Sequence, residues 1–335
     1  MFKKILLLAP QVNIDGHGSM AEFYRTIRSK LLEKYNTKEI ICIDANYLDN
    51  TIKINLPQMI KFYLVMIVYI FKKKKIKSVI SMSQEYIWPI FLNKQIVIHH
   101  DIIQYHFPRN KVVKLFYKYF IPFIYPKLKC VYYISETTKN DTNNLIRKKI
   151  NWQGPTYVPI PLKSSKNKSK VRKFLWVGTA SKHKQLDYFL QAMKHLNLDF
   201  ECVVPESDFQ QTVKLINELK ISKGKVLHSL TSEELNNKYM ESEYFANTSL
   251  LEGFGMPILE ALLNNCICFA PKTSINIELF DGYIEMYNPN KLDSFISAFK
   301  GSTCNQPPAK STNLASNIKK TFDKFLDKLL ITIEQ

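Results

Sequence analysis

The stretch from Leu250 to Phe269 restricts the fold more than any other part of the chain. Glu252 is followed by Gly253 and Gly255, then by Pro257 and an apolar run, Ile258, Leu259, Ala261, Leu262 and Leu263, interrupted by Glu260. Proline is tolerated in a first helical turn because the N–H groups there have no partner within the helix. The pattern therefore predicts a glycine loop opening a short helix, which Asn264 and Asn265 break before a buried strand at 266–270. Such a loop offers free backbone N–H groups and the positive end of a helix dipole, which suits phosphate. Two carboxylates beside it can accept hydrogen bonds from sugar hydroxyls. The residues alone point to a site for a phosphorylated sugar.

The remaining chain supplies a fold for that site. Residues 4–9 form an unbroken aliphatic run, as in a central parallel strand. A loop holding Gly16, His17 and Gly18 leads from it to a helix expected at 20–34, without the G-x-G-x-x-G fingerprint. Strands at 39–44, 78–83, 95–99 and 129–135 alternate with helices at 56–74, 111–125 and 136–148. From 163 to 172 the chain turns polar, a linker signature. The alternation resumes with strands at 174–177, 200–204 and 225–228 and helices at 186–196, 209–219 and 232–242. Thr231 and Glu234 have capping-box spacing. A tail at 314–333 reads as an amphipathic helix, with Asn313 as its expected N-cap. The expectation is an α/β protein of two Rossmann-like domains facing across a cleft. Their ranges are 1–162, a 163–172 linker, 173–303, and a 304–335 tail returning to the first domain.

Composition narrows the partners. With 335 residues the chain is comfortable for two domains, and 47 Lys+Arg against 29 Asp+Glu give a net charge of +18. That excess favours an anionic partner or decorates solvated faces. The six cysteines show no C-x-x-C pair and several sit in apolar runs, which fits a reducing cytoplasm. The first ten residues are too short for a signal peptide. The apolar stretch 60–71 is too short to span a bilayer and is followed by Lys72 to Lys75. It fits a packed helix with a basic end, or one resting on an anionic membrane surface. No nucleic-acid motif accompanies the charge.

The segment Ser249 to Ala261, with Glu252 and Glu260 in E-x7-E spacing, resembles the signature of GT-B glycosyltransferases, specifically the retaining family 4. Val177-Gly178-Thr179 followed by His183-Lys184 is similar to that family's second-domain opening. His100-Asp101, the Ile134 to Lys139 run and Val158-Pro159-Ile160-Pro161 fall in family order. The resemblance implies a retaining transferase, hexosyltransferase-like, carrying a sugar from a nucleotide-sugar (UDP- or GDP-linked) to a glycan or lipid-linked acceptor. It further implies bacterial surface polysaccharide or lipopolysaccharide assembly, in the cytoplasm or on the inner membrane face.

Implied roles follow by position. Glu252 would reach donor-sugar hydroxyls, and the N–H groups around Gly253, Phe254, Gly255 and Met256 would line the sugar and phosphate pocket. Glu260 would hold ribose hydroxyls. Lys184 would neutralise the diphosphate, with Gly178, Thr179 and His183 beside it. Gly16 would let its loop approach the donor. His100, with His99 as the other candidate, would stand at the reacting centre. Two departures stand out: the family's usual Arg before the Lys is missing, leaving Lys182 or His183 to substitute, and His17 lies in the glycine loop. No Asp-x-Asp pair stands near a strand end, so metal independence is expected, with no cofactor. An epimerase of the same architecture would present other acid/base carboxylates. A non-catalytic nucleotide-sugar or anion binder would lose the charges present here.

Overall fold

The computed structural model describes residues 4–12, 19–53, 56–71, 75–159, 169–302 and 309–335. It separates into two units: Met1–Ile160 with Ile318–Gln335, and Pro161–Asn317.

The first unit is a six-stranded parallel sheet. Its elements in order are β1 (Lys4–Ala9), α1 (Ser19–Lys34), β2 (Ile40–Asp44), α2 (Ala45–Thr51), α3 (Gln58–Ile70), β3 (Ile76–Ser81), β4 (Gln95–His99), β5 (Cys130–Tyr133), α4 (Glu136–Ile146) and β6 (Trp152–Pro155). The sheet order is β2-β1-β3-β4-β5-β6, with β1 buried between two neighbours as its aliphatic run requires. Parallel crossovers are almost always right-handed. α3 and the chain between β4 and β5 both connect strands advancing the same way along this order, so they cover one face of the sheet. α1 advances the other way and covers the opposite face. The aromatic helix expected at 111–125 is present, running from Lys111–Leu115 through a π-turn, Phe116–Phe120, to Ile121–Ile124 and Tyr125–Lys127, with right-handed helical backbone at each junction. Pro122 and Pro126 lack the N–H groups a regular helix would use there.

The second unit is also six-stranded and parallel. It runs β7 (Val171–Val177), α5 (Leu186–Leu196), β8 (Phe200–Val203), α6 (Glu206–Glu218), β9 (Gly224–Leu227), α7 (Ser232–Glu241), β10 (Ser242–Ala246), α8 (Met256–Leu263), β11 (Ile267–Pro271), α9 (Ser274–Phe280), β12 (Glu285–Tyr287) and α10 (Leu292–Gly301). Its order, β12-β11-β10-β7-β8-β9, reverses direction between β7 and β10. That reversal is a topological switch point, where strand-end loops part and leave a crevice. β7 begins at Val171, inside the stretch expected as linker; residues 160–168 lie outside the described ones. Phe174 centres an aromatic core with Phe189, Tyr244, Phe269, Phe295 and Phe299.

The terminal helix α11 (Ala309–Glu334) begins four residues before Asn313, which is therefore inside the helix and is not its cap. Phe322 and Phe325 meet Phe23 of α1 at ring-centroid distances of 5.5 and 6.2 Å. Thr332 shares a 2.8 Å hydrogen bond with Tyr132, and Glu334 bonds the hydroxyl of Tyr35 and the ammonium of Lys77. The expected return of the tail to the first domain is present.

Candidate functional site

The switch point of the second unit gathers most of the expected residues. From β7 the chain passes Gly178 and Thr179 into a 3-10 turn, Lys182–Lys184. A Cβ on Gly178 would lie 3.0 Å from the Trp176 ring, a contact tight enough that the ring would have to shift. From β10 it passes Asn247, Thr248 and Ser249, all buried, toward the glycine loop. The two strand ends are tied together. Leu250 N–H donates to the His183 carbonyl at 2.8 Å, and the Thr248 hydroxyl donates to the Lys184 carbonyl at 2.6 Å while accepting from the Trp176 indole at 2.9 Å.

This framework sets the Lys184 ammonium 2.6 Å from a carboxylate oxygen of Glu252. Both side chains are largely buried, and Asn247 Nδ2 donates to the same oxygen at 3.4 Å. Burial would raise the Glu252 carboxyl, but the Lys184 charge, with bonds from Lys184, Ser249 and Asn247, outweighs it and holds the group below its usual range. His183 is lowered, first by burial and then by Lys184, so it stays neutral at physiological pH and adds no second fixed cation. Lys182 is exposed.

Gly255 occupies the left-handed region (φ 89°) and opens α8, and an added Cβ would lie 3.1 Å from the Phe280 ring. Only glycine turns there without strain. Phe254 is buried, while Gly253 and Met256 are partly exposed at the helix N-terminus. Glu260 is half-buried against α7, where burial and then its charge push the Tyr239 phenol well above its ordinary value. Thr179 shares a 2.6 Å hydrogen bond with Ser181, and the Ala180 N–H donates to Asp208 at 2.7 Å.

In the first unit, two adjacent histidines have different surroundings. His99 is fully buried: Thr142 donates its hydroxyl to the Thr138 carbonyl, so it accepts from His99 Nε2 at 2.7 Å, and Tyr125 donates to Nδ1 at 2.7 Å. Both ring nitrogens are satisfied with the ring neutral, and burial followed by His100 lowers its pKa to about 3. His100 follows the end of β4, half-buried, with Nε2 2.7 Å from the Met82 carbonyl beyond β3. A carbonyl only accepts, so Nε2 carries the proton and Nδ1 is left with a lone pair. Burial brings His100 to about 4 against the opposing Met82 bond. Gly16 and His17 lie outside the described residues.

Residues 161–298 match the family model of glycosyl transferases group 1. The second unit is a glycosyl transferases group 1 domain. The chain is 25% identical over 227 residues to the O-antigen chain mannosyltransferase RfbU of Salmonella typhimurium, covering 63% of this chain and 61% of that relative. It therefore spans under two thirds of the length of that curated relative. Among solved structures, the apo structure of OtsA superposes with a TM-score of 0.70 over 99% of each chain at 10% identity. Anabaena HepE, solved with UDP and glucose, gives 0.65 over 98% of this chain and 99% of its own at 13% identity. These likenesses show that both units together have the GT-B fold. Within the group 1 domain, the stretch from Glu252 to Glu260 forms its loop and helix as the sequence requires.

Asn247, Thr248 and Asp208 were not marked by sequence reasoning. The only available signal was a run of three small polar residues, 247–249, ending an apolar strand.

Proposed function

We propose that this protein is a retaining, metal-independent glycosyltransferase using a nucleotide-sugar donor, UDP- or GDP-linked, and a glycan or lipid-linked acceptor in surface polysaccharide assembly. One observation carries the reading: the Lys184–Glu252 pair stands at a switch point beside a glycine-opened helix N-terminus. The bond from the anomeric carbon to phosphate breaks with its electron pair leaving on the diphosphate. A fixed ammonium and preorganised N–H donors are the physical answer to that charge. Lys184 takes this part, and the N–H groups of 253–256 bind the sugar and phosphate. Glu252 holds the ammonium in place while its second oxygen faces sugar hydroxyls, and Glu260 takes the ribose. The acceptor hydroxyl bonds to the anomeric carbon on the face the phosphate leaves, and its proton passes to the departing phosphate. His100, neutral at Nδ1, accepts from a sugar hydroxyl. The description of RfbU as a mannosyltransferase and the UDP and glucose bound to HepE support the donor class.

The test is a thermal-shift panel of UDP-, GDP-, ADP- and CMP-sugars on wild type, Lys184→Ala and Glu260→Ala. One nucleotide class should stabilise wild type by about 3 kcal/mol at a hundredfold excess over its dissociation constant. Both variants should lose most of that gain, and Lys184→Ala should lower transfer about 100-fold or more. A wild type indifferent to every nucleotide would falsify the donor site.

A further inference from the structure

The second unit contains 18 Lys+Arg and 16 Asp+Glu, a net +2; the first contains 29 and 13, a net +16. Nearly all the charge excess of the chain belongs to one unit. Within that unit no Asp or Glu occurs between Asp49 and Glu85, or between Asp101 and Glu136. Those two acid-free stretches contain α3 and the 111–127 segment, which cover the same face of the sheet.

α3 is apolar all round. Phe62, Val65, Met66 and Tyr69 are buried against the sheet, yet Ile60, Tyr63, Leu64, Ile67 and Val68 on the other side are exposed, and Phe71 after the helix is 87% exposed. A helix apolar on every side belongs inside a protein or in contact with lipid. Its single charge is turned inward: Lys61 is buried and bonded to Asp49 at 2.6 Å. The outer face is left without a charge until Lys72 to Lys75 follow in sequence.

The second stretch repeats the arrangement. Val112, Leu115, Tyr119 and Phe123 are exposed at helical spacing, between 54% and 74%. Lys111, Lys114, Lys118 and Lys127 are exposed among them, with Lys118 5.2 Å from the Tyr119 ring centre and Lys127 3.3 Å from that of Phe123. The two stretches join through one dipeptide. Trp88 lies 5.8 Å from Tyr63 of α3, and Ile87 packs in the cluster with Tyr117, Ile121 and Ile124. Among the described residues no helix is long and apolar enough to cross a membrane.

We propose that the first unit rests on an anionic phospholipid surface through this joint face, with the apolar side chains in the acyl boundary and the lysines among the headgroups. Interfacial segments combine an apolar face with flanking lysines in this way, and long lysine stems reach back to the headgroup level. The absence of acids across both stretches removes the repulsion an anionic leaflet would impose. A second copy of this chain would bring two strongly basic faces together, which disfavours it as the occupant.

Flotation of the full chain, without nucleotide, tests this independently of the donor site. Vesicles of phosphatidylcholine are compared with vesicles holding roughly one-third phosphatidylglycerol, near physiological ionic strength. Wild type should float with the anionic vesicles and stay behind with the neutral ones. Leu115→Ser with Phe123→Ser, and separately Lys114→Glu with Lys118→Glu, should each lower recovery about tenfold. Ile277→Ser, which removes an exposed apolar side chain of the second unit, should float as wild type does. Unchanged thermal midpoints establish that the variants fold, and the charge pair serves where the apolar pair does not. Equal recovery on neutral vesicles, floating by a folded variant, or a dimer that the apolar pair dissolves would overturn the proposal.

Discussion

The two units have the same architecture and use polar groups in opposite ways. In the second, acids and bases are nearly balanced, and several are paired inside. Glu201 receives both Lys173 at 2.8 Å and Lys238 at 3.4 Å, and Glu252 receives Lys184 at 2.6 Å. Its polar chemistry collects where the strand order reverses, between β7 and β10. In the first, Lys61 is buried on Asp49, but the lysines of the 111–127 segment stay outside, and His99 with the apolar face of the tail helix occupies the interior. Similar sheets therefore do not dictate similar work. One sheet presents paired charges at its strand ends, and the other presents an unpaired basic and apolar side.

Removing the tail's anchor should separate the units most. Phe325→Ala deletes a ring packed on Phe23 and Tyr132 and should cost about 3–5 kcal/mol. Hydrogen exchange should show lost protection in β1 and β5 with β7 and β10 unchanged. Equal loss in both sheets would mean that the units do not unfold separately. Acid should act next. His99 and His100 have folded values near 3 and 4 against an ordinary 6.5, so the unfolded chain binds more protons between those limits. Their contribution is complete above about pH 6.5 and declines as pH falls toward the folded values, by on the order of 2 kcal/mol from His99 at pH 5. Glu252, lowered, loses its share only under the ordinary carboxylate range, and half-buried His183 should contribute less. Denaturant melts at pH 7 and 5, read by exchange in β4 and β10, check this; a second unit as acid-labile as the first would reverse the contrast. The smallest effect belongs to Thr231→Ala. Its capping box with Glu234 opens α7, and its loss should cost about 1 kcal/mol in the second unit alone. Nucleotide-induced stabilisation should not change, because the Thr231 cap bonds Glu234 and neither Lys184 nor Glu252; a changed dependence would tie the cap to the site.

Legibility in the sequence followed the range of the interactions. α5 and β4 were bounded correctly from local pattern alone, since apolar spacing and strand runs are written residue by residue. The Thr231 cap was equally plain, because a capping box spans four residues. Asn313 failed as a cap because α11 is held by packing on α1 and begins earlier, in residues with no cap signal of their own. The segment 111–125 read as helical because its apolar spacing is helical, and it is; what local spacing did not show is the π-turn at Phe116–Phe120. β6, α2 and α9, short elements stabilised by their neighbours, were not legible.

For the site, residue type and spacing marked Glu252, Gly255 and Glu260, which themselves lie within one loop and helix. The sequence by itself determined the alternation of strands and helices, the glycine turn into α8 and the excess of basic charge, because each depends on residue type and short-range periodicity. Only the tertiary structure decided that Lys184 meets Glu252 across 68 positions of chain, that His99 is sealed while His100 is not, and that the charge of α3 points inward. Those outcomes depend on which strands lie side by side and which face of a helix the sheet covers, and no local pattern records either.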